Sequence, residues 1–228
     1  MSLVSITNTD QTKGKRLKAN KRRETLLKVA LEVFSKKGYE NTSMEEIAEL
    51  AGVTKPIVYQ HFDSKKSLYV ELSDSVSNNL INAIKVATHN CDSPKDQVEQ
   101  GFKAYFNFVA LHASAFKLLF SRNATVDTEL NSSVKNVEKT IARVLAPLID
   151  VDISESHRYI LASAIIGMAE GALRYWVASE EFKLVESAEE TIREKLLFEH
   201  STKLAENVSE LAWRGLRGIK PGINSSVV

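Results

Sequence analysis

An all-α fold is what this sequence predicts, and three observations carry the prediction. Apolar residues recur at three- and four-residue spacings along most of the chain, the period of an amphipathic helix rather than the alternation of a strand. Ala, Leu, Glu and Lys, all strong helix formers, supply much of that pattern. Only 9 Gly and 4 Pro occur in 228 residues, so few positions are built for tight turns. With 43% hydrophobic and 26% charged residues, the chain has the makeup of a one- or two-domain protein with a real core.

The expected elements follow in order. Residues 1–20 read as a flexible basic arm: the segment Lys13 to Arg23 holds seven basic residues and no acid, and a polar stretch without apolar period precedes it. A first helix is expected from Lys21, because Leu27, Ala30, Leu31 and Phe34 share one face, and Gly38 closes it. Thr42 and Ser43 offer N-caps to a two-turn helix, with Glu45 and Glu46 at capping-box distance and Gly52 as its stop. Thr54 caps a third helix with Pro56 in its first turn, where the missing N–H is harmless, and Val58 and Phe62 mark its buried side. A long fourth helix starts at Asp63 or Ser64, its stripe Leu68, Leu72, Val76, Leu80 and Ile84 running out of the small N-terminal unit. Helical patterns then cover Gln97 to Leu111, Ala113–Phe120, Thr128 to Leu148, Ser154–Ala178 and Ala188–Arg217, about nine helices in all, before a frayed tail at 218–228.

Composition narrows the function classes. The N-terminus lacks the features of a signal peptide, and the most apolar stretch, Leu161 to Ala178, is interrupted by Ser163, Glu170 and Arg174, so a cytoplasmic protein without a membrane partner is expected. Cys91 is the only cysteine, which leaves no intrachain disulfide and no multi-cysteine metal cluster. His89, His112, His157 and His200 are scattered, and no nucleophile motif or phosphate-cradling glycine loop occurs, so neither an enzyme nor a cofactor is expected. The net charge of +1 hides an asymmetry: residues 1–70 hold 13 Lys and Arg against 8 Asp and Glu, the remainder 17 against 21. The basic end is the one suited to a polyanion.

Two short helices joined by a glycine turn, with another packed across them, form a helix-turn-helix, which lets one helix enter a major groove about 12 Å wide. The run Gly52 to Tyr69, GVTKPIVYQHFDSKKSLY, with TSMEEIAELAG from Thr42 upstream, closely resembles the DNA-binding domain of the tetracycline-repressor (TetR) family of bacterial regulators. The resemblance covers about residues 22–70 and implies a DNA-binding domain at 21–67, with Thr54 through His61 as recognition helix. The chemistry of the residues agrees. Lys55 can donate to guanine or a phosphate, Gln60 can pair with adenine, and Pro56 and Ile57 suit thymine methyl groups, while His61 sits at the rim. Thr42, Ser43, Tyr59 and Lys65 can bind phosphates, which fixes register rather than sequence. Pro56 stands where the family most often has a small residue.

For residues 68–217 the resemblance implies an effector pocket and a dimer interface. The effector would be a small, largely apolar molecule, and the partners a palindromic duplex operator and a second copy of the chain. On the expected fifth and sixth helices, Phe102, Tyr105, Phe106, Phe108, Phe116 and Phe120 concentrate aromatic surface that can line a pocket or simply form core. Asn107, His112, Arg122, Glu170, Arg174 and Trp176 are the candidate orienting groups. For the interface, Leu161, Ala164, Ile165, Met168 and Ala172 form one face with Gly167 and Gly171, and Leu204, Val208 and Leu211 form a stripe on the last helix; intrachain core is the other reading. Repression is the expected mode of action. The alternative is a helix-turn-helix regulator or adaptor governed by a protein partner instead of a ligand.

Overall fold

The computed structural model describes residues 7–120, 139–149 and 152–218, with side chains from residue 19 onward and excepting those of Phe116, Lys117, Leu119 and Phe120. Among these residues every regular element is helical. Helix α1 runs Thr7–Lys37, α2 Met44–Leu50, α3 Lys55–Tyr59, α4 Lys65–Thr88, α5 Pro94–Leu111 and α6 Ala113–Phe120. Residues 139–145 form α7, which tightens into a 3₁₀ turn at Ala146–Leu148 around Pro147, and α8 Glu155–Ala178, α9 Glu180–Glu186 and α10 Glu190–Arg217 complete the chain.

Local chemistry sets most boundaries. Gly38, at φ +78°, takes the left-handed conformation that ends α1, its N–H donating to the Phe34 carbonyl at 2.8 Å. Ser43, Ser93, Ser154 and Ser179 each accept a backbone N–H three residues on, capping α2, α5, α8 and α9. At α4 the cap is reciprocal: Ser64 accepts from the Ser67 N–H while the Ser67 hydroxyl accepts from the Ser64 N–H. Pro94 and Pro147 occupy first turns, where no N–H is needed.

Two features differ from expectation. α1 begins at Thr7 instead of Lys21, so the basic segment from Lys13 is helical instead of a loose arm; its Lys, Arg, Leu and Ala are good helix formers even without an apolar stripe. The short α9, absent from the sequence reading, packs Phe182 edge-on to Trp176 of α8 at 4.9 Å between centroids.

The core is continuous from end to end. The α4 stripe Leu68, Leu72, Val76, Leu80 and Ile84 is buried throughout, and α5 packs between α4 and α10. Where α5 meets α10, the buried Ser201 hydroxyl lies against the Asn107 side-chain oxygen, pairing two polar groups within apolar surroundings. α1 touches α2, α4 and α6, so the N-terminal unit rests on both the long helix and the bundle. α8 is the one described helix long and apolar enough to cross a membrane by length and composition, although it carries Glu170 and Arg174.

Candidate nucleic-acid interface and effector cavity

The interface begins at a turn. Gly52, at φ +66°, lets the chain reverse between α2 and α3, with its N–H on the Glu49 carbonyl at 3.0 Å and that of Val53 on Ala48 at 2.9 Å. An added Cβ would meet nothing within 4 Å, so the requirement for glycine is conformational. The turn sets α3 so that Val58 and Phe62 enter the core while Lys55, Pro56, Tyr59 and Gln60 face solvent. These four lie at i, i+1, i+4 and i+5, the spacing of one helical face. Ile57 and His61 are half-buried at its edge, and Thr54 is exposed with no side-chain capping bond.

Ion pairs tie this face to its scaffold. The Lys55 ammonium pairs with the Glu45 carboxylate across the turn and lies 5.9 Å from the Tyr59 ring centre. Glu46 pairs with Lys37 of α1 instead of reaching back to the Ser43 cap. Arg23 pairs with Glu71 of α4 and stacks over Phe62 at 4.8 Å, so one cation of the basic segment is committed to the fold. Lys21 and Arg22 instead line a groove of about 380 Å³ beside Gly52 and Val53. Partial burial, reinforced by Arg22 and Arg23, holds the His61 imidazole below its ordinary pKa.

Two sequence-predicted phosphate contacts are placed differently. Thr42 is buried, at 3% exposure, and its hydroxyl donates to the Gly38 carbonyl at 2.8 Å. Lys65 turns inward, donating to the carbonyls of Tyr39, Glu40 and Thr42 at 2.8, 3.3 and 3.0 Å. Three acceptors engage the three donors of an ammonium. Both residues hold the α1–α2 turn, while Ser43 is exposed at the start of α2.

The bundle contains an apolar seam lined by Ile84, Val98, Gly101, Phe102, Tyr105, Ile141, Leu145, Ile165, Ile166 and Ala169, from α4, α5, α7 and α8. Its free volume is about 30 Å³, room for roughly one water against the roughly 300–1,000 Å³ of a ligand pocket. Ile166 also borders an open cleft of about 490 Å³ that carries the polar groups of Lys139, Arg143, Tyr159, Ser163 and Glu170 among apolar surface. The expected effector residues are therefore dispersed. Phe102 and Tyr105 line the seam, Glu170 faces the cleft and binds Arg174 at 2.8 Å, and Phe106 is fully buried in the core. Asn107 is paired with Ser201, Trp176 is buried against Phe182, and His112 packs on Phe108 at 4.8 Å beside a separate surface groove. Phe116, Phe120 and Arg122 lie outside the residues whose side chains are described.

Two family profiles match the chain, "Bacterial regulatory proteins, tetR family" over residues 26–72 and "Tetracyclin repressor-like, C-terminal domain" over residues 94–199. The chain belongs to the TetR family of bacterial DNA-binding transcriptional regulators. The HTH-type transcriptional activator FasR of Mycolicibacterium smegmatis is 29% identical over 170 residues, covering 74% of this chain and 78% of FasR. Among solved structures, a TetR-like regulator from Rhodococcus sp. RHA1 aligns with a TM-score of 0.65 at 22% identity, covering 87% of this chain and 97% of that one. FadR from Bacillus subtilis, solved in complex with stearoyl-CoA, aligns with a TM-score of 0.66 at 16% identity, covering 86% and 99%. At such identities the two structures establish the fold. The matched families and relatives are regulators, with no catalytic family among them.

In this TetR-family chain α8 exposes apolar groups along one face. Ile160, Ala164, Gly167, Gly171 and Tyr175 are exposed at helical spacing, and Tyr175 reaches 82% exposure. Leu161, Ile165, Met168 and Ala172 are half-buried against the chain's own core, Ile165 lining the seam. On α10, Leu211 is exposed and Leu204 half-buried, whereas Val208, at 7% exposure, is part of the intrachain core and unavailable to a second copy. Sequence reasoning missed Ile160 and Tyr175, though both continue the period of Ala164, Gly167 and Gly171. It also missed the aliphatic seam lining, because four separate helices supply it.

Proposed function

We infer that this regulator binds a palindromic operator as a dimer, reads it through α3, and is released by a small, largely apolar ligand. The observation that carries the reading is the solvent-facing set Lys55, Pro56, Tyr59 and Gln60, held out by a helix whose other side, Val58 and Phe62, is locked in the core. Lys55 and Gln60 supply base-edge hydrogen bonds, Pro56 and Ile57 apolar contact to thymine methyls, and Ser43, Thr54, Tyr59 and His61 contacts at the rim. The exposed α8 stripe supports a two-fold dimer, which would set the recognition helices one DNA turn apart, about 34–36 Å. The DNA-binding unit would span residues 21–67 and the effector and dimerisation unit 68–217, in a cytoplasmic protein.

The apolar seam supports the class of effector. Since it is nearly closed, a ligand must part α4 from α5 and α8, and α4 begins at the Lys65 clamp on the DNA-binding unit. The Bacillus subtilis FadR structure, which has the same fold and was solved in complex with stearoyl-CoA, supports a largely apolar effector. Repression is the family's typical mode; the name of FasR as an activator favours a second reading in which the same operator binding recruits transcription.

Selection of bound sequences from a random duplex library tests the proposal. A two-fold symmetric motif is expected, with binding that weakens steeply as salt rises. Recovery of no motif, with weak salt-insensitive binding, would contradict it.

A further inference from the structure

We propose that Glu45 and Lys55 act as one unit in base recognition, the ammonium donating to guanine N7 and O6 and the carboxylate accepting from the N4 amino group of the paired cytosine. The inference rests on the operator binding proposed above and names a reading residue, Glu45, that lies outside the recognition helix.

The two side chains are in direct contact, the ammonium on the carboxylate oxygen, from the first turns of α2 and α3. Both are about half exposed, at 59% for Glu45 and 48% for Lys55. An ion pair so open to water adds little to stability. Each group reinforces the other's charge: the hydrogen bond from Lys55 lowers the Glu45 pKa, and the bond to Glu45 raises that of Lys55. At neutral pH this edge therefore presents one fixed donor beside one fixed acceptor.

That combination is poorly suited to a phosphate. A paired lysine brings no net charge to the polyanion, and a carboxylate beside a phosphate is repelled. It suits the rim of a base pair. In a G·C pair the guanine O6 accepts from the cytosine N4, about 2.9 Å away, so acceptor and donor lie side by side in the major groove as the ammonium and carboxylate do here. Lys55 would keep one N–H on Glu45 and place the other two on O6 and N7. An A·T pair also offers two acceptors, adenine N7 and thymine O4, but the adenine N6 amino group lies between them, so the ammonium reaches one acceptor where G·C offers two side by side and leaves one N–H unmatched.

Random-duplex selection with wild type, Glu45→Ala, Glu45→Gln and Lys55→Ala tests this, each variant first matched to wild type by its thermal melt. Wild type should fix G·C at one position of each half-site. Glu45→Ala and Lys55→Ala should relax that same position, losing roughly ten-fold discrimination or more, and leave the others unchanged. Glu45→Ala should also bind unselected DNA more tightly with a steeper salt dependence, because Lys55 is then unmasked. Glu45→Gln removes the fixed acceptor with little change in shape and should relax the same position if Glu45→Ala folds poorly. A Glu45→Ala or Glu45→Gln protein whose base preferences match wild type at every position would overturn the inference, as would an affected position occupied by A·T. A wild-type protein that selects no motif would instead defeat the operator-binding reading beneath it.

Discussion

The Lys65 ammonium donates to the Tyr39 carbonyl at 2.8 Å and lies 4.4 Å from the centre of the same residue's ring. One side chain at the start of α4 thus holds both the backbone and the aromatic group of the α1–α2 turn. The Tyr39 ring in turn meets Tyr69 of α4 edge-on at 5.1 Å, and the Tyr69 hydroxyl donates to the Leu118 carbonyl of α6 at 3.3 Å. A continuous set of contacts therefore links the DNA-binding unit to the bundle.

Removing Lys65 should act on structure before it acts on DNA charge. Lys65→Ala should destabilise the N-terminal unit by about 1–2 kcal/mol, the scale of charged hydrogen bonds at a partly exposed site. DNA affinity should fall for all sequences alike, with an unchanged dependence on salt. A direct phosphate contact would lower the log–log salt slope by about 1, so titrations of wild type and variant over a range of salt separate the two roles.

Gly52 should tolerate no side chain, although space is available. Its φ of +66° is the whole obstacle, since a Cβ there meets no atom within 4 Å. Gly52→Ala should cost about 1–2 kcal/mol, the penalty of an L-residue in the left-handed region, visible as a lowered melting temperature. An unchanged melt would mean that the α2–α3 turn is not built as described.

His61 should titrate below the ordinary histidine value, because burial and then Arg22 and Arg23 oppose its protonation. The unfolded chain binds the extra proton first, from about pH 6.5 downward. Stability contributed by neutral His61 is therefore complete above that value and is lost as pH falls toward the folded pKa. An NMR titration of the imidazole protons should show the low value, with Arg22→Ala moving it upward; a His61 that titrates normally contradicts the assigned surroundings.

Phe102→Ala should turn the nearly closed seam into a real cavity. Loss of a buried phenyl group should cost about 3–5 kcal/mol. A small apolar probe such as benzene should restore part of the melting temperature in the variant and do little for wild type, because binding to the folded state alone raises stability. Equal effects on both proteins would mean that the seam is not where apolar ligands enter.

What could be read from the sequence was local. Gly38, Gly52, Ser64 and the stripe from Leu68 to Ile84 announce themselves through caps, breakers and a helical period, all settled within a turn or two of chain. The exposed side of α3 was legible for the same reason, as the complement of Val58 and Phe62. Lys65 was not, since its acceptors lie 23 to 26 residues upstream and only folding shows that they face inward. The Glu45–Lys55 pair joins residues ten apart and depends on how the turn between α2 and α3 brings the first turns of the two helices together. α9 has a Ser179 cap and two exposed glutamates in its first turn, but seven residues carry too short an apolar period to mark a helix, and it gains its place by burying Phe182 against Trp176. Aromatic density drew attention to α5, yet the seam beside it is mostly aliphatic and assembled from four helices.

The most direct test of the central claim compares wild type with Gln60→Ala on the selected operator and on its single-base variants, at two salt concentrations. Wild type should bind the operator with steep salt dependence, and Gln60→Ala should lose about 1–3 kcal/mol of discrimination at one position of each half-site while keeping that salt dependence. If Gln60→Ala leaves every base preference unaltered, or weakens all sequences equally, α3 is not the element that reads DNA.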